Sequence, residues 1–329
     1  MMYIYLYIDH IFSPCYNVCK HLNESIIGIL TKKSIVKAVS KSTVLNLYGK
    51  EYFMRITHMT VIFYSATGNT RKVVTRIAKN IQEILQVPVN YVNYTRPQNR
   101  QATHSFGPEE LVIFASPTYA GRIPNKMLPY ITSAFSGTNT PAIPIVVFGN
   151  RSFDNALSEL TDILSSNGFI PFSAAAIATV HAFSSNIGTS RPDAKDLELI
   201  DSFCKTASEY LINSEGLSKV EVPGEHPAVT YYTPLGVDNN PVNFLKAKPK
   251  THKELCDNCG ACAKACPMSA IDFTDASLVP GTCIKCQRCI KICPTKAKYF
   301  DDENFLSHVR MLEDNYARRS EPCFFLPVT

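Results

Sequence analysis

Two runs of four cysteines with identical spacing constrain this chain more than any other feature. Each run reads C-x2-C-x2-C-x3-C and ends at a proline, and together the runs hold eight of the twelve cysteines. The eight are Cys256, Cys259, Cys262, Cys266, Cys283, Cys286, Cys289 and Cys293. Thiolates two residues apart in a tight loop converge on one face of a metal cube, whereas the fourth cysteine lies too far along to join them easily. The spacing therefore predicts two metal–sulfur centres that exchange their fourth ligands.

Two other uses of cysteine fit this spacing poorly. Zinc sites usually pair two C-x2-C knuckles across a longer spacer, which differs from three consecutive short spacings that end in Cys-Pro. A disulfide framework is typical of secreted chains, and no secretory signal is evident in this sequence.

Residues 251–300 resemble the bacterial two-cluster ferredoxins, which are small α+β domains. The resemblance implies one [4Fe-4S] cluster bound by Cys256, Cys259, Cys262 and Cys293. It implies a second [4Fe-4S] cluster bound by Cys283, Cys286, Cys289 and Cys266.

A second motif lies near residue 65, between an apolar run and an amphipathic one. Residues 59–65 predict a buried strand and residues 71–85 predict a helix. The loop between them offers unpaired backbone N–H groups, two kinds of hydroxyl and a glycine, an arrangement that favours an anion. It lacks the lysine of a Walker A loop and the glycines of a dinucleotide fold. The alternative is an ordinary strand-to-helix turn with a Ser or Thr cap. The candidate phosphate ligands are Ser65, Thr67, Gly68, Asn69 and Thr70.

Apolar strands and amphipathic helices alternate from residue 59 to residue 212. Further strands are predicted at 87–94, 111–116, 143–148 and 169–180, and helices at 126–135, 154–166 and 193–212. This alternation predicts an α/β fold with a doubly wound, parallel, five-stranded sheet. Such sheets bind ligands beyond the carboxyl ends of their strands, between the first and third strands here.

The loops at those strand ends resemble the FMN loops of flavodoxins. Residues 65–70 match the S/T-x-T-G-x-T phosphate loop, and the resemblance implies two ring-binding loops after the third and fourth strands. It implies that Tyr119 flanks the isoalloxazine and that Gly121 offers backbone groups to its edge. Simple packing remains the alternative for Tyr119 and Phe153, and a solvated charge for Arg151. The ring-binding candidates are Pro117, Thr118, Tyr119, Gly121, Gly149, Asn150, Arg151 and Phe153.

Taken together, the two motifs resemble ferredoxins with an N-terminal flavodoxin domain, a family of anaerobic and facultative prokaryotes. The expected organisation is a flavodoxin-like FMN domain at 54–212 and a proline-containing linker at 213–250. A ferredoxin domain at 251–300 and a C-terminal helix and tail at 301–329 follow.

Residues 1–53 show no flavodoxin feature. We expect translation to start at Met54 or Met59, because Gly49, Lys50 and Glu51 can be encoded by a purine-rich stretch like a ribosome-binding site. The alternative is a genuine extension, in which Cys15 and Cys19 could bind metal.

Composition and charge limit the kinds of partner that this chain is expected to bind. No run of 18 apolar residues occurs, so no membrane insertion is expected. Of the net charge of +5, residues 1–53 contribute +3, and the near-balance of the remainder gives no case for nucleic acid. We expect a cytoplasmic protein whose partners are redox proteins.

Three functions are compatible with these cofactors. The first is an electron carrier between FMN, two clusters and partner enzymes, with no catalytic residues beyond the cofactor ligands. The second is an FMN-dependent oxidoreductase acting on a quinone, a nitro compound or a porphyrinogen, for which an open pocket near Arg122 and His181 would be evidence. The third is a redox sensor. The sequence favours the electron carrier and leaves open whether the chain is an enzyme.

Overall fold

The apolar run at residue 59 forms an interior strand of a mainly parallel sheet in the computed structural model, which describes residues 55–327. These residues belong to one contact unit, Phe53–Thr329. The expectations for the translation start and for Cys15 and Cys19 fall outside the described residues.

The first part of the chain alternates strands and helices. Its elements are β1 (His58–Phe63), α1 (Asn69–Leu85), β2 (Val89–Asn93), β3 (His104–Phe106), β4 (Glu110–Pro117), α2 (Leu128–Ala134), β5 (Phe135–Gly137), β6 (Thr140–Phe148), α3 (Ala156–Ser166), β7 (Phe169–Pro171), β8 (Ala174–Ala178) and α4 (Ala194–Asn213). The rest of the chain is sparser in regular structure. Its elements are β9 (Lys250–Thr251), α5 (Ala261–Ala265), α6 (Arg288–Ile292), β10 (Lys298–Tyr299), α7 (Glu303–Asn315) and β11 (Cys323–Phe325).

The main sheet has the strand order β11-β8-β6-β4-β1-β2, with β7 paired to β6. From β2 to β8 all pairs are parallel, so the five long strands follow the 2-1-3-4-5 order of the flavodoxin fold. The predicted fold class is confirmed. The sheet nevertheless has seven strands rather than the five predicted: β7 is a separate piece of the run at 169–180, and β11 joins antiparallel to β8.

The inner strands are almost entirely buried because both faces of the sheet are covered there, whereas the edge strand β2 is partly polar and exposed. Helices α1 and α4 pack on one face, where Ile77, Ile81, Phe203 and Leu211 join the strand residues in one core. Helix α3 covers part of the other face, next to β6 and β7. The loops that follow β1, β4 and β6 therefore emerge together at the carboxyl edge.

We call residues 55–212 the sheet half. The predicted linker at 213–250 lies against this half. Val220 N–H donates to Pro171 O at 2.8 Å, and Tyr232 N–H donates to Ala120 O at 2.9 Å. Apart from Asn213, the last residue of α4, the segment has no helix, and its only strand residue is Lys250 at the start of β9. Its contacts make it a strap along the sheet half, although its boundaries as a linker stay a prediction.

We call residues 251–300, which contain both cysteine runs, the cluster half. It is built on two short helices and one short antiparallel pair of strands. The sequence predicts strand-like segments at 270–273 and 297–300, but only the second forms a strand. That strand, β10, pairs with β9 instead of with residues 270–273. The prediction for 270–273 was wrong because the peptide groups there are used in turns, for example Asp272 N–H to Leu278 O at 3.0 Å.

The last part of the chain returns to the sheet. Helix α7 begins at an N-cap, where Asp302 Oδ1 accepts the Phe305 N–H at 2.9 Å. Strand β11 then closes the open edge of β8, with Phe324 opposite Ala175. None of the helices within residues 55–327 is long and apolar enough to cross a bilayer.

Candidate functional site

The first of two cavities in the cluster half lies between the two cysteine runs. Its cysteines are Cys266, Cys283, Cys286 and Cys289. Lys285 and Gln287 have φ of 54° and 63°, and these left-handed residues turn the chain so that it winds around the cavity. Cys289 lies in α6, whereas Cys266 directly follows α5. We call this the first cavity.

The cysteines that line the second cavity are Cys256, Cys259, Cys262 and Cys293. Each run thus supplies three cysteines to one cavity and its fourth to the other. The structure brings together the same two sets of thiols that the ferredoxin resemblance assigns to two clusters. The individual ligand assignments stay a prediction. We call this the second cavity.

Backbone N–H groups point at the sulfurs that close each set. Ala270 N–H donates to Cys266 Sγ at 3.3 Å, and Ala297 N–H donates to Cys293 Sγ at 3.2 Å. Lys285 N–H donates to Cys283 Sγ at 3.4 Å. Such donors stabilise the charge on a ligand sulfur and tune the potential of a cluster.

Burial sets the protonation of the thiols when no metal is bound. It raises the pKa of Cys289 to about 12 and that of Cys286 further. At Cys293, burial acts in the same direction, but hydrogen bonds from Thr295 and from backbone N–H groups outweigh it and lower the pKa. Buried neutral thiols become thiolates when a cation replaces the proton, so these cavities suit a metal centre.

The thiols are not arranged for a single ion. Within residues 55–327, no three His, Cys, Asp or Glu side chains converge on one point where a lone metal would sit. A cubane places its four thiolates on four different irons, so this arrangement fits clusters.

The predicted phosphate loop opens directly into α1. Gly68 is the N-cap residue, with φ of 99°, and no side chain caps the helix there. A Cβ at Gly68 would meet no atom within 4 Å, so the loop borders open space. Thr67 is half-buried and Thr70 is buried. A helix start of this kind fits a phosphate.

Two loop residues already have partners that shape the loop. Ser65 Oγ accepts the Arg71 N–H at 3.0 Å, and the Ser65 N–H donates to Thr95 Oγ1 at 2.8 Å. Asn69 Nδ2 donates to Val180 O at 3.0 Å, which ties the loop to the chain after β8. The loop is therefore held in place by side chains of the sheet half itself.

The loop after β4 leaves a hydrogen-bonding group free. Pro117 ends the strand, and Thr118 N–H donates to Val147 O at 2.8 Å. The buried Thr118 Oγ1 has no hydrogen-bond partner among the described residues. An orphaned hydroxyl of this kind fits the edge of a bound polar ring.

Tyr119 and Gly121 complete this loop. Tyr119 packs edge-on against Tyr64, with ring centroids 6.4 Å apart. Gly121 has φ of 77°, and a Cβ there would lie 2.5 Å from Asp154 Oδ2. The glycine is required because two loops approach each other at this point.

The loop after β6 is engaged inside the protein. Asn150 is buried, and its Nδ2 donates to Tyr316 O at 2.8 Å while its Oδ1 accepts the Ser320 N–H at 3.2 Å. Gly149 lies under the ring of His181, because a Cβ there would be 2.3 Å from His181 Cδ2. These side-chain positions hold the returning C-terminal segment, and their FMN contacts stay a prediction.

Arg151 and Phe153 are also committed to packing. Arg151 pairs with Asp154 and stacks over Tyr232, with its guanidinium carbon 3.7 Å from the ring centroid. Phe153 is buried against Phe148, with centroids 5.6 Å apart. Their predicted flavin contacts are likewise untested, and the packing alternative describes their side chains.

The pocket considered for a small substrate is not open at its two named residues. Burial lowers the pKa of His181 to about 3, so it is neutral near pH 7. Arg122 pairs with the buried Glu159 and stacks over Tyr231 at 4.4 Å. Both side chains have structural partners.

Three residues near the first cavity belong to no functional sequence motif. Arg100, Thr95 and Tyr64 connect the phosphate loop with the first cavity, through contacts described below. Arg100 lies in an ordinary polar segment, so periodicity and motif spacing give no sign of it. Only tertiary contacts identify these residues.

Residues 255–297 match the family model described as a 4Fe-4S dicluster domain. This match shows an iron–sulfur domain in the cluster half. No curated protein matches the chain.

Several solved structures are similar to the sheet half. The rubredoxin:oxygen oxidoreductase of the anaerobe Desulfovibrio gigas shares 16% identity over 49% of this chain, with a TM-score of 0.33. A flavodoxin from the domain Archaea shares 13% identity over 47% of this chain and 99% of its own, with a TM-score of 0.34. A flavodiiron protein of Giardia intestinalis shares 13% identity over 49% of this chain and 38% of its own, with a TM-score of 0.32. The chain spans 38% of the length of the D. gigas protein. At these scores the similarity adds nothing to what the strand order already shows.

Proposed function

We propose that this chain is a cytoplasmic electron-transfer protein that holds one FMN and two [4Fe-4S] clusters and relays electrons between them and redox partner proteins. The observation that carries the proposal is the pairing of two four-cysteine cavities with a phosphate loop at the carboxyl edge of a parallel sheet. Clusters exchange single electrons and a flavin exchanges one or two, so both on one chain form a relay.

The donor sets support each cofactor separately. The four thiols of each cavity and the N–H groups on their sulfurs would hold a cluster and stabilise its negative charge. The open start of α1 at Gly68 would bind the phosphate, and the free Thr118 hydroxyl would meet the ring.

The phosphate loop supports FMN over a dinucleotide. It presents one helix start and lacks the glycine pattern that accommodates a pyrophosphate. The strand order places this loop beside the loop after β4, where a ring attached to a single phosphate would lie.

A small-molecule oxidoreductase is the second candidate, acting on a quinone, a nitro compound or a porphyrinogen. It requires space above the flavin for a substrate. Arg122 and His181, the side chains considered for such a pocket, contact Glu159, Tyr231 and Gly149 instead. The proposal therefore stays with protein partners at both ends of the relay.

The test is anaerobic purification of the full chain, with iron, acid-labile sulfide and released flavin measured per chain. We expect about eight irons, about eight sulfides and one FMN. A Gly68→Val variant should lose FMN and keep its iron, because a branched side chain at φ of 99° distorts the loop. Eight irons without flavin, even after incubation with FMN, would refute the flavin part. Fewer than about six irons after reconstitution would refute the two-cluster part.

A further inference from the structure

Arg100 bridges the sheet half and the cluster half with three hydrogen bonds. It is half-buried, and its Nε donates to Tyr94 O at 2.8 Å. Its Nη2 donates to Thr95 O at 2.5 Å and to Pro267 O at 2.8 Å. All three acceptors are carbonyl oxygens, which are neutral. They therefore leave the positive charge of the guanidinium without a counter-charge.

The two ends of this bridge lie at the two predicted cofactor sites. On one side, Thr95 Oγ1 accepts the N–H of Ser65, the first residue of the phosphate loop. On the other side, Pro267 follows Cys266, and both residues line the first cavity. Three hydrogen bonds, together with the covalent bonds of Thr95, therefore connect the phosphate loop to Pro267 of the first cavity through Arg100.

Two aromatic rings lie along the same boundary. Tyr64 is completely buried and packs edge-on against Tyr119, the residue predicted to flank the flavin ring. Burial raises the pKa of both hydroxyls, so both rings are neutral near pH 7. Tyr64 directly precedes Ser65, so this pair of rings lies at the phosphate-loop end of the bridge.

The second cavity has a different environment. Cys259, one of its four thiols, is the exposed cysteine among the nine reduced cysteines of the described residues. Exposed Leu255 and Phe273 lie in the same stretch of the chain. The second cavity therefore reaches solvent, where a protein partner has access.

We propose that Arg100 is a positioning residue that fixes the first cavity against the predicted flavin loops, so that the first cavity holds the inner electron carrier. The second cavity then holds the outer carrier, which exchanges electrons with partner proteins. This order rests on the proposed function and adds the path within it.

The electron count is simple in this order. If both cofactors are bound as proposed, one electron lost by a flavin would be gained by a cluster held by the first-cavity thiols, then by one held by the second-cavity thiols, and then by a one-electron acceptor protein. A protein donor that enters at the second cavity uses the same order in reverse. No covalent bond of the chain would form or break in this transfer.

The guanidinium also has an electrostatic effect on the first cavity. Reduction adds negative charge to a cluster, and a nearby cation favours the reduced form. The reduction potential of the first-cavity cluster should therefore depend on Arg100, and that of the second-cavity cluster should not.

The first experiment is an EPR-monitored redox titration of the cluster-loaded full chain, prepared without FMN. The variants are Arg100→Gln, Arg100→Lys and the matched control Arg96→Gln, which removes an exposed charge from the same loop. Cys266→Ser and Cys293→Ser, at equivalent positions of the two runs, identify which EPR component belongs to which cavity.

We expect Arg100→Gln to make reduction of the first-cavity cluster, identified by its response to Cys266→Ser, about tenfold less favourable. This corresponds to a reduction potential lower by about 59 mV for a one-electron couple. Arg100→Lys keeps the charge and should stay within about threefold of the natural protein. Arg96→Gln should do the same, because its exposed charge is screened. A shift on the Cys293 component, or an equal shift in Arg96→Gln, would overturn the assignment.

The second experiment measures which cavity opens first. The same proteins are treated with an iron chelator and a thiol alkylating reagent, and mass spectrometry times the labelling of each cysteine. In the natural protein, Cys283 and Cys286 should label at least about tenfold more slowly than Cys256 and Cys259. Arg100→Gln should reduce this difference to about threefold or less, because it removes bonds that hold the first cavity closed.

The two experiments separate this inference from the proposed function. Neither uses flavin, so a failure to bind FMN would leave both results readable. If Arg100→Gln does not retain clusters, Arg100→Lys still decides. Lysine keeps the charge but lacks the guanidinium fork. In Arg100→Lys the first-cavity cysteines should therefore label faster, while the reduction potential of the first-cavity cluster stays unchanged. Labelling that begins in the first cavity, or that is unaffected by either variant, would refute the inner position.

Discussion

In the sheet half, one core of 24 buried residues runs from β1 through α1 to α4, whereas the core of the cluster half has five buried residues. Four of those five, Cys262, Ile271, Ala276 and Cys289, line the cavities. Apolar burial contributes about 25 cal/mol per Å², so a core of five small residues supplies little against chain entropy. The sheet half folds by burying side chains, and the cluster half depends on what its thiols bind.

The largest expected effect comes from removing iron. Chelation under anaerobic conditions should abolish amide protection across residues 255–297 and leave the amides of β4 and β6 protected, as measured by hydrogen exchange. The cluster half should unfold because metal binding supplies its folding free energy. Full protection of residues 255–297 after complete iron loss would show that the two halves do not differ in this way.

The next effect tests whether the tail beyond the cluster half belongs to the sheet half. Asp196 is fully buried; its Oδ1 accepts from Arg191 and from Arg319, each at 2.7 Å. Asp196→Asn should lower the free energy of unfolding of the sheet half by about 3–5 kcal/mol, because Arg191 would stay buried without a counter-charge. Chemical denaturation measures this change. The control is Glu321→Gln at the exposed end of the network, which should cost less than about 1 kcal/mol.

A matched pair of core truncations sharpens the comparison directly. Ile113→Ala in β4 should lower the free energy of unfolding of the sheet half by about 2–5 kcal/mol, because Ile113 is fully buried. Ile271→Ala removes the same atoms from the core of the cluster half. It should leave the denaturation midpoint of the sheet half unchanged. Equal shifts of that midpoint would mean that the two cores form one cooperative unit.

The smallest effect is a pH dependence of the sheet half. Burial lowers the pKa of His181 to about 3, and His308, Arg151 and Lys291 add repulsion against its charged form. Below pH 6.5 the unfolded chain binds a proton that the folded chain does not bind. Stability is therefore fully present above pH 6.5 and is lost as pH falls towards 3, by about 1.4 kcal/mol per pH unit.

Urea denaturation of the iron-free protein at pH 7.5 and pH 5.5 measures this dependence. A His181→Gln variant should lose about 1 kcal/mol less than the natural chain between the two values. If His181→Gln keeps the natural slope, another group carries the pH dependence.

Sequence reasoning reached the parts of the fold whose signal is local. The apolar runs of β1, β4 and β6 are each long enough to show a buried parallel strand, and the helices between them have clear periodicity. The paired strands β3 and β5 have three residues each, too few for a periodic signal. Strand β11 depends on its partner β8, about 150 residues earlier, so its short apolar run predicts nothing alone.

The candidate site divides in the same way. The spacing of the cysteines determined which thiols lie together, because a tight loop fixes where the next ligand falls. The loop at Gly68 could be predicted from the sequence because it lies between an apolar strand and an amphipathic helix. By contrast, Asn150 and Arg151 match a ring-binding loop in sequence, yet their side chains contact Tyr316 and Tyr232.

The sequence by itself determined the elements of the proposed chemistry: eight thiols in two sets, a loop predicted to bind a phosphate, and a parallel sheet that presents this loop. The tertiary structure alone decided how these parts are joined. Arg100 brings the first cavity to the phosphate loop, and the C-terminal segment occupies Asn150 and closes the sheet edge. The reason is physical, since ligand spacing and periodicity are properties of neighbouring residues. A hydrogen bond from Arg100 to Pro267 joins residues 167 positions apart and exists only once both halves have folded.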